Sequence, residues 1–277
     1  MSHTANLQTM RHSTDIACPA ERVYRALTSE LDRWFADHAD VDVAAGRFDF
    51  WGDHVLESPD HEAGRHRLLE HTDGRAVRFD WRVRDALTDV AIDLEPLPGG
   101  TAVEVRHSGV PERPSGEPSL DDVWRLALDN LRRWCESGAA PDLVDFSRHP
   151  VGESRSSLEV DAPVEAVFGA LTRPELVSRW CGAQAEIDPV AGGRYSFGWG
   201  DGGPVEILNL DAPSRLVYSW GYTGEPDSVV TWELEGSGGR TRVTVIHSGF
   251  GDRAVGDYES GWMSFLVKIR NQVEAAV

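Results

Sequence analysis

Two histidines open matching tripeptides, His107-Ser108-Gly109 and His247-Ser248-Gly249. A histidine titrates near neutral pH, so either is a candidate general base wherever it borders a cavity. The same repetition suits a local role, in which the ring hydrogen-bonds and fixes the turn before the glycine. Tyr222 ends an alternating aromatic run and is a third candidate for acid–base work. His54, His61, His66 and His71 fall in a polar stretch. His61-Glu62-Ala63-Gly64-Arg65-His66 comes close to a zinc-binding HExxH helix. Its second histidine is one residue late and Gly64 weakens a helix, so no metal site is expected. Gly198-Trp199-Gly200-Asp201-Gly202-Gly203 has glycines enough for a phosphate loop but no following lysine or helix start, and reads as a hairpin turn. Lys268, the only lysine, reads as the solvent side of a helix and is a poor Schiff-base candidate. Cys18, Cys135 and Cys181 are an odd set without CxxC spacing, which argues against a disulfide framework and suits a reducing cytoplasm. No cofactor is expected.

Ten tryptophans are the most unusual count. Trp81, Trp124, Trp220, Trp232 and Trp262 fall on strand or final-helix faces that point inward, with Leu128, Tyr222 and Phe265 on the same faces. Together these are the candidate ligand-binding residues, an aromatic wall for a flat or polyunsaturated molecule. The competing reading is plain core packing.

The elements that must position these residues occur twice. Pro19-Ala20-Glu21-Arg22-Val23-Tyr24-Arg25-Ala26-Leu27-Thr28 matches Pro163-Val164-Glu165-Ala166-Val167-Phe168-Gly169-Ala170-Leu171-Thr172. Arg33-Trp34 then matches Arg179-Trp180, and Gly46-Arg47-Phe48 matches Gly193-Arg194-Tyr195. The two His-Ser-Gly tripeptides follow, and Trp124, Leu128 and Leu131 match Trp262, Leu266 and Ile269. A period of about 140 residues is too long for a solenoid and marks a domain duplication.

Within each copy the prolines suit a first helical turn, and Val23, Ala26 and Leu27 share one face at helical spacing. A short second helix is expected over Leu31 to Phe35. Period-two runs follow: Tyr195, Phe197 and Trp199; Leu216, Tyr218, Trp220 and Tyr222; Val230, Trp232 and Leu234; Val243, Val245 and His247. These are strands, with Gly99-Gly100 and Gly236-Ser237-Gly238-Gly239 as hairpin turns. Each copy closes on a long amphipathic helix, the first capped by Ser119 and stopped by Gly138. The fold class is α+β, two tandem domains, each a curved antiparallel sheet wrapped on a long C-terminal helix. A hollow between sheet and helix is where a ligand is expected.

Length and composition bound the rest. At 277 residues, 40% hydrophobic and 26% charged, the chain is an ordinary globular sequence of about two domains. A net charge of −19 repels phosphate backbones and anionic lipid, so neither nucleic acid nor membrane is an expected partner. The polar stretch Met1 to Arg11 lacks a signal core, so a cytoplasmic location is expected.

Both copies resemble the START-like (SRPBCC, Bet v 1-like, helix-grip) superfamily, in the branch named for activators of the heat-shock-protein-90 ATPase, and the resemblance covers nearly the whole second copy. The resemblance rests on Pro163-x-Glu165-x-Val167-Phe168-x-Ala170-Leu171-Thr172, Arg179-Trp180, Gly192-Gly193-Arg194-Tyr195, Leu216-Val217-Tyr218-Ser219-Trp220, Val230-Thr231-Trp232-Glu233-Leu234, Thr241-Arg242-Val243-Thr244-Val245, His247-Ser248-Gly249-Phe250 and Gly261-Trp262. The first copy is more diverged, with Val110 where the family has Phe and Ile92 opposite Trp232. The resemblance implies a helix-grip domain with a hydrophobic cavity; members include lipid carriers, polyketide aromatase/cyclases, co-chaperones and enediyne self-resistance proteins. Two-domain members occur in actinobacterial natural-product clusters, and this chain looks like one of those.

The expected domains are residues 10–146 and 153–277, joined around His149-Pro150-Val151-Gly152. A linker this short is expected to bring the domains into contact, with cavities that face or merge. The expected function is binding of a hydrophobic small molecule, a polyketide-, polyene- or enediyne-type intermediate or product, in biosynthesis or self-resistance. A cyclase or aromatase using the same cavity and a co-chaperone-type interaction module are the alternatives. Oligomeric state, and the choice between binding and turnover, stay open on the residues alone.

Overall fold

The computed structural model describes residues 7–200, 202–225 and 227–276. The chain divides into two units. The first ends at Pro114 and resumes over Ser119–Arg148; the second takes Ser115–Pro118 and the chain from His149 on.

In the first unit the order is β1 (Gln8–Ile16), α1 (Ala20–Ser29), β2 (His38–Asp42), β3 (Arg47–Trp51), β4 (Leu68–Thr72), β5 (Ala76–Val83), β6 (Ala86–Leu97), β7 (Gly100–Val110) and α2 (Leu120–Ser137). Five strands form an antiparallel sheet in the order β1-β7-β6-β5-β4, and β2 pairs with β3. The second unit runs β8 (Glu153–Val160), α3 (Val164–Thr172), α4 (Pro174–Cys181), β9 (Glu186–Ile187), β10 (Tyr195–Ser196), β11 (Gly202–Asp211), β12 (Arg215–Tyr222), β13 (Ser228–Ser237), β14 (Arg240–Ser248) and α5 (Gly256–Glu274). Its sheet order is β11-β12-β13-β14-β8, so in both units the first strand lies beside the last. Each unit is α+β, with one long helix against one antiparallel sheet.

The duplication extends to single hydrogen bonds. Trp34 Nε1 donates to Ala26 O at 3.0 Å, and Trp180 Nε1 donates to Ala170 O at 2.8 Å. Thr101 Oγ1 donates to Cys18 O, and Thr241 Oγ1 donates to Ala162 O. The paired Arg-Trp motifs therefore exist to pin the first helix of each unit to the chain that follows it. Trp180 is 1% exposed, so Trp180→Phe should cost the second unit about 2 kcal/mol, because it removes a buried donor and leaves a gap. Hydrogen exchange of the α3 amides checks this.

Local differences between the copies have local causes. Pro19 and Pro163 sit one residue before their helices, with ψ near 150°, and not inside the first turn. The expected second helix is a 3₁₀ turn, Leu31–Arg33, in the first unit and a full α-helix, α4, in the second. Pro174 opens α4 at its first position, where no amide proton is needed, and Gly182 closes it at φ 78°. At α2, the Ser119 hydroxyl accepts from the Asp121 amide and Gly138 takes φ 69°. Gly198 and Gly200 adopt left-handed backbone in the loop between β10 and β11; Asp201 of that run lies outside the described residues.

Candidate functional site

Strand alternation and helical spacing bring one tryptophan, one histidine and one hydroxyl together in each unit. In the first, Trp124 of α2 donates its indole N–H to His107 Nδ1 at 3.0 Å. Indole nitrogen only donates, so Nδ1 is the acceptor and the ring proton sits on Nε2. Nε2–H then donates to Thr88 Oγ1 at 2.6 Å, and the Thr88 hydroxyl donates to Trp81 O. In the second unit Trp262 of α5 donates to His247 Nδ1 at 3.2 Å, and Nε2–H donates to Ser228 Oγ at 2.9 Å. Both histidines are fully buried. Burial disfavours the charged ring and lowers its pKa, to about 4 at His107 and about 3 at His247.

Both ring nitrogens are thus engaged, and each histidine joins helix to sheet as a neutral bridge. A general base needs a free nitrogen lone pair. The one these rings possess accepts from tryptophan.

The hollow expected between helix and sheet is occupied by rings. In the first unit Trp81 stacks on His107 at 5.5 Å and meets Trp124 edge-on at 5.8 Å. Phe35 and Phe50 close on Trp81 at 6.0 and 5.7 Å, and Leu128 is buried in the same unit. A cavity beside α2, lined by Trp34, Phe35, Val123, Ala127, Val144 and Phe146, has about 20 Å³, enough for one water. In the second unit Trp262 meets Trp232 at 5.6 Å and Trp220 at 5.5 Å, while Trp232 Nε1 donates to the buried Tyr218 hydroxyl. Of the candidate wall, Trp81, Trp124, Leu128, Trp220, Trp232 and Trp262 are core residues by burial, and Phe265 is half-buried.

Tyr222 corrects the sequence reading. It was expected to continue the inward face of Trp220, but it is 51% exposed. Tyr222 is the last residue of β12 and pairs with Gly202. Its ring lies across that glycine, in space that a Cβ would fill. Side-chain direction at a strand end follows the space left by the partner strand and not the alternation.

Tyr222 forms one wall of an open groove of about 410 Å³ whose floor is Gly200, Gly202, Gly203, Pro204 and Gly221. Trp199 forms the other wall. It is 40% exposed, donates Nε1–H to Cys181 O at 3.1 Å and stacks on Phe265 of α5 at 5.7 Å. Behind it, edge-on at 6.0 Å, stands Trp220, whose buried indole N–H has no partner among the described residues. Trp199 was visible in sequence only as a member of an alternating run and a glycine-rich turn. Four residues from the β12–β13 turn and the approach to and start of α5 form a polar cluster that the sequence reading did not assemble. Glu225 pairs with Arg253 and accepts from the Tyr258 hydroxyl at 2.8 Å, and Arg253 also reaches Asp257 at 3.2 Å. Burial, with the neighbouring Glu225 carboxylate, raises the Tyr258 phenol.

The histidines of the near-HExxH stretch are dispersed. His61 lies against Trp51 at 4.7 Å, whereas His66 is buried against Phe50 at 4.1 Å.

The family model for activator of Hsp90 ATPase homolog 1-like protein matches residues 17–136 and again 161–274. The chain belongs to this family, as a tandem of two such domains. Among solved structures, DynU16, a protein of the dynemicin biosynthetic locus, is similar at 18% identity over 96% of this chain and 98% of its own, with a TM-score of 0.36. CalU16 from Micromonospora echinospora is 26% identical over 44% of this chain and 81% of its own, with a TM-score of 0.38. An HSP90 activator from Plasmodium falciparum is 23% identical over 37% of this chain and 76% of its own, with a TM-score of 0.34. No curated protein matches the chain.

Proposed function

We propose that the second unit binds a flat, apolar small molecule in the groove between Trp199 and Tyr222. The observation that carries this reading is the position of Trp199. Its ring is anchored by one hydrogen bond and stacked on Phe265, yet much of it faces the groove instead of the core. A held, solvent-facing indole opposite an exposed tyrosine, over a floor of glycine backbone, offers two aromatic faces at little entropic cost. Within that class we propose a polyketide- or polyene-derived intermediate or product, enediyne-type molecules included, which the protein sequesters or protects. Binding needs no acid or base, and the buried histidines supply none.

Equilibrium dialysis of the native chain against fluorene and retinol tests the reading. Saturable binding is expected, and Trp199→Ala should weaken it about tenfold, as loss of one stacked aromatic face implies. Retention on neither probe overturns it.

A second reading is favoured by Val205 and Leu208, both about half exposed on the edge strand β11. An apolar edge beside Trp199 suits a protein partner, and the family name suggests an Hsp90-type ATPase. Stimulation of the purified chaperone's ATPase by the native chain, lost in Val205→Asp, supports this second reading.

A further inference from the structure

The two units hold equivalent tryptophans, Trp81 and Trp220, and both carry a buried indole N–H without a partner among the described residues. Their surroundings differ. Trp81 is stacked face to face on His107, with an interplanar angle of 10°, and is wholly enclosed. Trp220 stands at 61° to His247, and one of its walls is the half-exposed Trp199. Aligning Gly46-Arg47-Phe48 on Gly193-Arg194-Tyr195 puts Gly52 opposite Trp199, so the first unit has no counterpart of that wall. In the second unit the partnerless indole lies edge-on, at 6.0 Å, to the tryptophan that walls the groove.

A buried donor left unpaired is unfavourable, and a ligand that supplies an acceptor relieves it. We propose that the ligand of the second unit is a planar ring system bearing a carbonyl-type oxygen, and that this oxygen reaches past the edge of Trp199 to accept from Trp220 Nε1–H. The inference rests on the small-molecule reading above and adds its polar specificity. An oxygen-bearing polycycle is thereby preferred over the bare hydrocarbon of the same shape. Trp81 is enclosed within the first unit and takes no part.

Fluorene and 9-fluorenone share one ring skeleton and differ at a single carbon, a methylene in the first and a carbonyl in the second. Equilibrium dialysis with the native full chain should show fluorenone binding about fivefold to tenfold more tightly than fluorene. In Trp220→Phe the ratio should fall to about one, and Trp81→Phe should leave the ratio as it is. Should Trp220→Phe fail to fold, ¹⁵N-labelled native protein gives the same answer. One indole N–H resonance should move downfield with fluorenone and stay in place with fluorene. Equal affinity for the two probes in the native protein, or a preference that survives Trp220→Phe, overturns the proposal while leaving small-molecule binding intact. Binding of neither probe overturns both.

Discussion

His107→Ala should destabilise the first unit by about 4 kcal/mol. The ring it removes is fully buried, so part of the loss is the vacated space. The rest is the Trp124 indole N–H, which donates to His107 Nδ1 in the native chain and has no other partner in that arrangement. Adding Trp124→Phe to His107→Ala should cost less than Trp124→Phe alone, because the orphaned donor goes with the indole. Because the chain has two units, a single unfolding free energy is not well defined. Hydrogen exchange on β6, β7 and α2 is the appropriate measurement, with α5 as the internal reference. A histidine serving only as an exposed base would show no such loss, and additive costs for the two substitutions would contradict the bridge.

Acid should unfold the first unit before the second. His66 and His107 are held by burial at about 4 and His247 at about 3, against 6.5 for a free ring. Below pH 6.5 the unfolded chain takes up protons that the folded chain refuses, so stability falls with pH through the window from 6.5 down to those folded values. At pH 4 each histidine contributes a loss of about 3 kcal/mol. The first unit has two such histidines and the second one, giving about 6 against about 3 kcal/mol. Asp121, lowered by its hydrogen bond from His12, adds further loss at lower pH in the first unit. Asp49, raised by burial, works in the opposite sense. Exchange rates by unit between pH 7 and pH 4 should show the first unit opening earlier; simultaneous opening, or a second unit that opens first, would contradict the assignment.

The architecture was legible because it is written twice. Repeated Arg-Trp, Gly-Arg-aromatic and His-Ser-Gly blocks, each at its own spacing, identify equivalent elements without any knowledge of contacts. Period-two runs on β12, β13 and β14 place Trp220, Trp232 and His247 on the buried face. The structure supplied what pattern does not encode. Alternation and helical spacing say that Trp81 and Trp124 point inward but not that their rings meet at 5.8 Å. It says that His107 is internal, while the assignment of both its nitrogens depends on a helix residue 17 positions away. Tyr222 occupies an inward position of the strand period and still faces out, because Gly202 leaves room beside it. Trp199 lay hidden in a glycine-rich run where sequence reads a turn, and only Phe265 of α5 shows why its ring is held.

The first unit is sealed by its own aromatic rings, and the second is proposed to receive a guest at Trp199. Binding stoichiometry and affinity together decide between one site and two. Saturation of the native chain with 9-fluorenone in equilibrium dialysis should reach one molecule per chain, with the Kd unchanged by Trp81→Phe and raised about tenfold by Trp199→Ala. Two molecules per chain, or an affinity that survives Trp199→Ala, would contradict this assignment.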